Sequence, residues 1–159
     1  MSATVPTIVF AEMPEGAERD LATERRHLPE GCRIERFTFR GDVAALVAAC
    51  RAADAILTDY VPFDAPVLGA LERCRILSVA GTGYDCVDVS AAAARGIAVS
   101  CVGEYCTDEV ADHALALLLA LNRRLLDFHR QVQVEHDWRW NTLGGVRRLS
   151  GQSLGIVGF

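Results

Sequence analysis

The sequence predicts an α/β fold built on a parallel sheet of flavodoxin-like strand order, and three observations carry that prediction. Short apolar runs alternate with amphipathic or alanine-rich segments through the first hundred residues. Their spacing suits right-handed βαβ crossovers, which leave few strand orders open. The chain of 159 residues is 51% hydrophobic and 23% charged, enough apolar material for one core of ordinary domain size.

The elements follow in order. Thr7 to Ala11 reads as a first strand, and residues 17 to 27 as the helix after it. Cys32 to Phe37 alternates apolar and polar side chains, as a strand on a sheet edge does. Asp42 is placed to cap a helix whose core face is Val43, Leu46, Val47 and Cys50. Ala55 to Leu57 is a third strand, and Asp64 to Leu71 a short helix with Pro66 in its first turn. Arg75 to Val79 is a fourth strand, Val89 to Arg95 a helix closed by Gly96, and Ile97 to Ser100 a fifth strand.

The rhythm then changes. A much longer helix is expected from Thr107, its N-cap, to about Leu126, apolar on nearly every face through Val110, Leu117, Leu118 and Leu121. Such a helix needs cover from another domain or subunit. Trp138 and Trp140 read as interface or interdomain packing, and Ser153 to Phe159 as a further strand.

Composition excludes several classes of function. A net charge of −5 and a pI near 5.3 give no basic patch for nucleic acid. All 16 basic residues are Arg, so lysine-based mechanisms are absent. The six cysteines form no CxxC pair and no Cys/His cluster with zinc spacing, so no metal site is expected. The first residues lack the charged and apolar regions of a signal peptide, and no apolar run approaches membrane-spanning length. A cytoplasmic protein with reduced thiols and no membrane partner is therefore expected.

The most informative loop is Ala80-Gly81-Thr82-Gly83, at the carboxyl end of the fourth strand, where open α/β sheets bind ligands. Its glycines let backbone approach a ligand, and its consecutive amides are candidates for an anion-binding nest. The same loop also reads as a plain tight turn. Tyr60, ending the third strand, faces the same cleft, as a pocket wall or as packing. Asp112 and His113 are adjacent on the helix and so cannot form a simple acid–base dyad.

Three segments, taken together, resemble the D-isomer-specific 2-hydroxyacid dehydrogenase family. They are Arg75 to Asp88, matching the signature Gly-x-Gly-x-Asp-Asn-(Val/Ile)-Asp; Tyr105 to His113 with the leucine-rich helix; and Leu149 to Phe159. The middle segment leans towards the corepressor-like branch. Cys86 stands where the family usually carries Asn. The resemblance implies an NAD-dependent oxidoreductase, NADP not excluded, acting on the CH–OH of a small D-2-hydroxy acid.

In that picture residues 1–101 form the substrate-binding domain, without its C-terminal return segment. Residues 102–159 open a Rossmann domain with its long helix and first strand and stop before the glycine fingerprint. The resemblance assigns Ala80, Gly81, Thr82, Gly83 and Tyr60 to the substrate, and Thr82 and Thr107 to the cofactor side. It places the catalytic residues beyond Phe159, so none falls in this chain, which alone is expected to be inactive. It also implies a homodimer through the helix over residues 107–126. The alternative within the resemblance is an NAD(H)-sensing corepressor-like binding protein. A phosphoacceptor receiver is disfavoured, because Glu12 stands alone after the first strand and no Lys exists.

Overall fold

The computed structural model describes residues 5–14 and 20–158, and the chain divides into two compact units, Met1–Tyr105 and Cys106–Phe159. The first unit holds five parallel strands: β1 (Thr7–Glu12), β2 (Arg33–Thr38), β3 (Ala55–Asp59), β4 (Ile76–Val79) and β5 (Ala98–Cys101). Their order is β2-β1-β3-β4-β5, the flavodoxin-like order expected, with β2 on an edge. Four helices connect them: α1 (Ala22–His27), α2 (Val43–Cys50), α3 (Ala65–Gly69) and α4 (Val89–Ala94).

Register decides which side chains share a face. Val9 pairs with Ile56, Ile56 with Leu77 and Leu77 with Val99, so one row of β-branched and leucine side chains crosses four strands. Val9, Ile56 and Leu77 are buried and pack with Leu46 and Cys50 of α2, Val67 and Leu68 of α3, and Ala92 of α4. Each of these three helices begins on an aspartate that accepts a backbone hydrogen bond: Asp42 from Ala45, Asp64 from Val67 and Asp88 from Ala91. Their loss to Ala costs about 1 kcal/mol each in typical helices.

The opposite face carries Ile8, Phe10, Ala55, Leu57, Ile76 and Ser78. With Leu21 and Leu28, which flank α1, they line an apolar groove of about 290 Å³. Helix cover on this face is the short α1 alone among the described residues, and Ile76 remains 43% exposed.

Several expectations shift. Of the helix expected over 17–27, residues 17–19 lie outside the described residues, and the helix begins at Ala22. Val43 is exposed rather than on the core face, because it follows the cap directly and its turn faces solvent. The first compact unit runs on past β5 to Tyr105. Val102 N–H donates to the Gly81 carbonyl at 3.0 Å and ties the next residues to the sheet.

In the second unit, α5 (Thr107–Asn122) and α6 (Leu125–Gln133) replace the single helix expected over 107–126. Arg124 adopts a left-handed backbone, φ 52°, and its guanidinium bonds Asp127 and the Gly144 carbonyl, which holds the break. Thr107 is the first helical residue rather than the N-cap; Cys106 caps with no side-chain bond, and Asp108 and Glu109 face the amide end. Residues 153–158 form no strand, since the described part of this unit offers no strand to pair with. Among the described residues no helix is long and apolar enough to cross a membrane.

At the amino end of the sheet Asp54 joins β1 to β3. Its carboxylate accepts from the Thr7 amide at 2.9 Å and from Arg73 at 2.6 Å. The Thr7 amide first, then Arg73, holds this carboxyl below its ordinary range. A depressed carboxyl pKa stabilises the fold above the unfolded value and loses that effect as pH falls through the carboxylate range. Asp54→Asn is therefore expected to lower the thermal midpoint at pH 7, with the gap closing below about pH 4. A gap that stays constant across that range in a pH series of melting curves contradicts this account.

Candidate functional site

The carboxyl ends of β3, β4 and β5 bring three loops together. β3 ends at Asp59, and Tyr60 takes a left-handed backbone, φ 57°, rare for a bulky residue. That turn sends Val61 into the core and leaves the Tyr60 side chain exposed. The Thr58 carbonyl accepts from the Ala80 amide at 2.8 Å, which levels the β3 and β4 exits. A Cβ built on Gly81 would lie 2.6 Å from the Tyr60 phenol oxygen, so the phenol covers the space that a side chain here would fill. Gly81 is needed for space, not for a positive φ.

The structure thus brings the Tyr60 phenol to Gly81, in the loop Ala80 to Gly83. Gly81 is buried, while Thr82 and Gly83 face solvent. The amides of Gly81, Thr82 and Gly83 donate to no protein acceptor among the described residues, and the phenol of Tyr60 is likewise unbonded. They can donate to an anion. The alternation of right- and left-handed residues that defines a nest is absent, because no residue from 80 to 84 has positive φ. The amides are available on a bend instead.

Thr82 does not extend its hydroxyl freely. Its Oγ1 donates to the Gly103 carbonyl at 2.8 Å, within the same unit, and keeps only lone pairs for a ligand. Thr107 belongs to the second unit, at the exposed start of α5. Asp112 and His113, on the same helix, are exposed.

Burial holds three of the thiols, Cys50, Cys74 and Cys86, in their protonated form. Burial, then the nearby Cys74, pushes Cys50 up to about 12. Burial also raises Cys74 and Cys86, and the carboxylates of Asp85 and Asp59 add to the rise at Cys86. Those carboxylates therefore share the neighbourhood of the 80–86 loop. Among the described residues no group of three His, Cys, Asp or Glu could hold a metal ion.

One feature of the second unit escaped the sequence reading. Gln131 is buried on α6; its amide donates to the Arg139 carbonyl at 2.7 Å, and its oxygen accepts from Thr142 at 2.8 Å. The turn is braced further by Asp137, which Arg139 holds well down, to about 2. This network presents Trp138 and Trp140 outward, 85% and 84% exposed. A lone glutamine in a polar stretch carries no pattern that marks it as the hub.

The profile of the D-isomer specific 2-hydroxyacid dehydrogenase catalytic domain matches residues 9–155. D-3-phosphoglycerate dehydrogenase of Mycobacterium leprae is 37% identical over 118 residues, 74% of this chain and 22% of that protein. Glyoxylate reductase of Korarchaeum cryptofilum is 38% identical over 115 residues, 70% of this chain and 34% of that protein. Among solved structures, an NADPH-dependent glyoxylate/hydroxypyruvate reductase from Sinorhizobium meliloti superposes with a TM-score of 0.62 at 32% identity. It covers 80% of this chain and 37% of its own. The chain thus spans roughly a fifth to two fifths of the length of these relatives. With a family match over nearly its whole length, this chain belongs to the D-isomer-specific 2-hydroxyacid dehydrogenases.

Proposed function

We propose that this chain is the substrate-holding part of an NAD-dependent oxidoreductase that interconverts a small D-2-hydroxy acid and its 2-oxo acid. The observation that carries this reading is the set of amides at Gly81, Thr82 and Gly83, which have no acceptor among the described residues, with the Tyr60 phenol over Gly81. Unpaired N–H groups at the carboxyl edge of a parallel sheet suit a carboxylate, and a bound acid would be oriented by them for reaction at its second carbon.

NAD supplies the hydride in this reading, and the NADPH-dependent relative keeps NADP as the alternative. The residues of this chain do not by themselves fit a dinucleotide. Residues 153–158 form neither a strand nor the glycine turn and helix that hold a pyrophosphate. On their own these 159 residues are accordingly expected neither to bind NAD tightly nor to turn over substrate. Residues 1–101 serve as the substrate-binding domain and 102–159 as the opening of the nucleotide-binding one. The apolar groove beside α1 supports a further segment packing there in the complete domain. The reading places the protein in the cytoplasm. Nothing observed favours the corepressor alternative.

A titration of the ¹⁵N-labelled chain with D-glycerate tests the site. The amides of residues 81–83 are expected to shift, and Gly81→Ala, which forces the Tyr60 phenol aside, is expected to abolish the response. Shifts confined to other loops would count against the reading.

The partner proposed for the second unit is another copy of the chain. Val110, Leu115, Leu117, Leu119 and Leu121 of α5 are exposed and none of its residues is buried, so the helix supports a twofold contact over 107–126. Sedimentation equilibrium should give about twice the 17.2 kDa chain mass, and Leu117→Arg with Leu121→Arg should return it to the single-chain value. A wild-type chain that sediments as a monomer contradicts the dimer.

A further inference from the structure

We infer that this site selects an unphosphorylated acid, with the Tyr60 phenol as its selecting polar group. The inference rests on the substrate reading above and narrows it to one class of substrate. Its observations are the side chains that ring the free amides.

The loops leaving β3, β4 and β5, residues 59–62, 80–86 and 102–105, carry Asp59, Asp85 and Glu104 and no basic side chain. A phosphate monoester brings close to two negative charges and is ordinarily held by Arg or Lys, often bidentately. The chain has no Lys, and the described arginines of the first unit are committed or placed elsewhere. Arg73 pairs with Asp54 at the opposite, amino end of the sheet. Arg95 donates to the Leu71 carbonyl, and Arg51 pairs with Glu72. Arg36 is gripped by both oxygens of Glu12. Arg40 follows the edge strand β2, three strand spacings or about 14 Å from β4.

A phosphorylated acid seated on the 81–83 amides would therefore meet carboxylates and no cation from these loops. Like charges so juxtaposed weaken binding strongly. The group that is available is neutral: the Tyr60 hydroxyl, which has no hydrogen-bond partner among the described residues and lies over Gly81. It suits a hydroxyl or carboxylate oxygen of a short acid. The phosphoglycerate dehydrogenase relative is named for a phosphorylated substrate and the glyoxylate reductase for a short one; the inference sides with the second.

The test is calorimetric and NMR titration of the labelled chain with D-glycerate and, separately, with 3-phospho-D-glycerate. D-glycerate is expected to bind at least about tenfold more tightly. Tyr60→Phe should weaken D-glycerate about three- to tenfold, the worth of one hydrogen bond, with the dispersed spectrum of a folded chain retained. Asp59→Asn with Asp85→Asn should narrow the gap between the two acids. Equal or tighter binding of the phosphorylated acid overturns the inference and leaves the substrate reading standing. If neither acid moves the 81–83 amides, the reading and the inference both fall.

Discussion

The parallel register that sets Val9 beside Ile56 and Ile56 beside Leu77 is the constraint from which the first unit follows. A slip of one residue would turn this row to the opposite face and strip α2, α3 and α4 of their packing partners. The same register sets Thr58 level with Val79. Because those strands end level, Tyr60 and Gly81 leave the sheet side by side, and the phenol lies over the glycine. The site is thus a consequence of strand alignment. Its polar groups are mostly backbone amides, which have no acceptor among the described residues.

Electrostatics separates the two ends of the sheet. At the amino end Asp54, the Thr7 amide and Arg73 satisfy one another, so charge there serves cohesion. At the carboxyl ends of β3, β4 and β5 the amides of residues 81–83 have no acceptor among the described residues, and the charged side chains of these loops are acidic. Under the proposed reading, what these three loops offer an anion is backbone dipoles rather than a cation, which suits a short acid with a single charge.

Much of the first unit was legible because its signals are local. Asp42 announces α2 by its cap and Pro66 the first turn of α3, and the alternation of Cys32 to Phe37 announces an edge strand. The glycine loop after β4 was visible as a site candidate from its position alone. What escaped depends on partners distant in sequence. The hydroxyl of Thr82 turns to Gly103, 21 residues on, and the break at Arg124 relies on the Gly144 carbonyl, 20 residues on. Residues 153–158 of the strand expected over 153–159 form none for a related reason, since apolar alternation makes a strand only where another strand lies beside it. The buried Gln131 and the exposed Trp138 and Trp140 belong to the same class of long-range arrangement.

The central claim is that the backbone amides after β4 hold the carboxylate of the substrate. A crystal structure of the chain grown with D-glycerate tests it most directly. The account predicts the carboxylate on the amides of Gly81, Thr82 and Gly83, with the Tyr60 hydroxyl in contact with the acid. A carboxylate bound instead to an arginine, or away from the β3 and β4 exits, would contradict it.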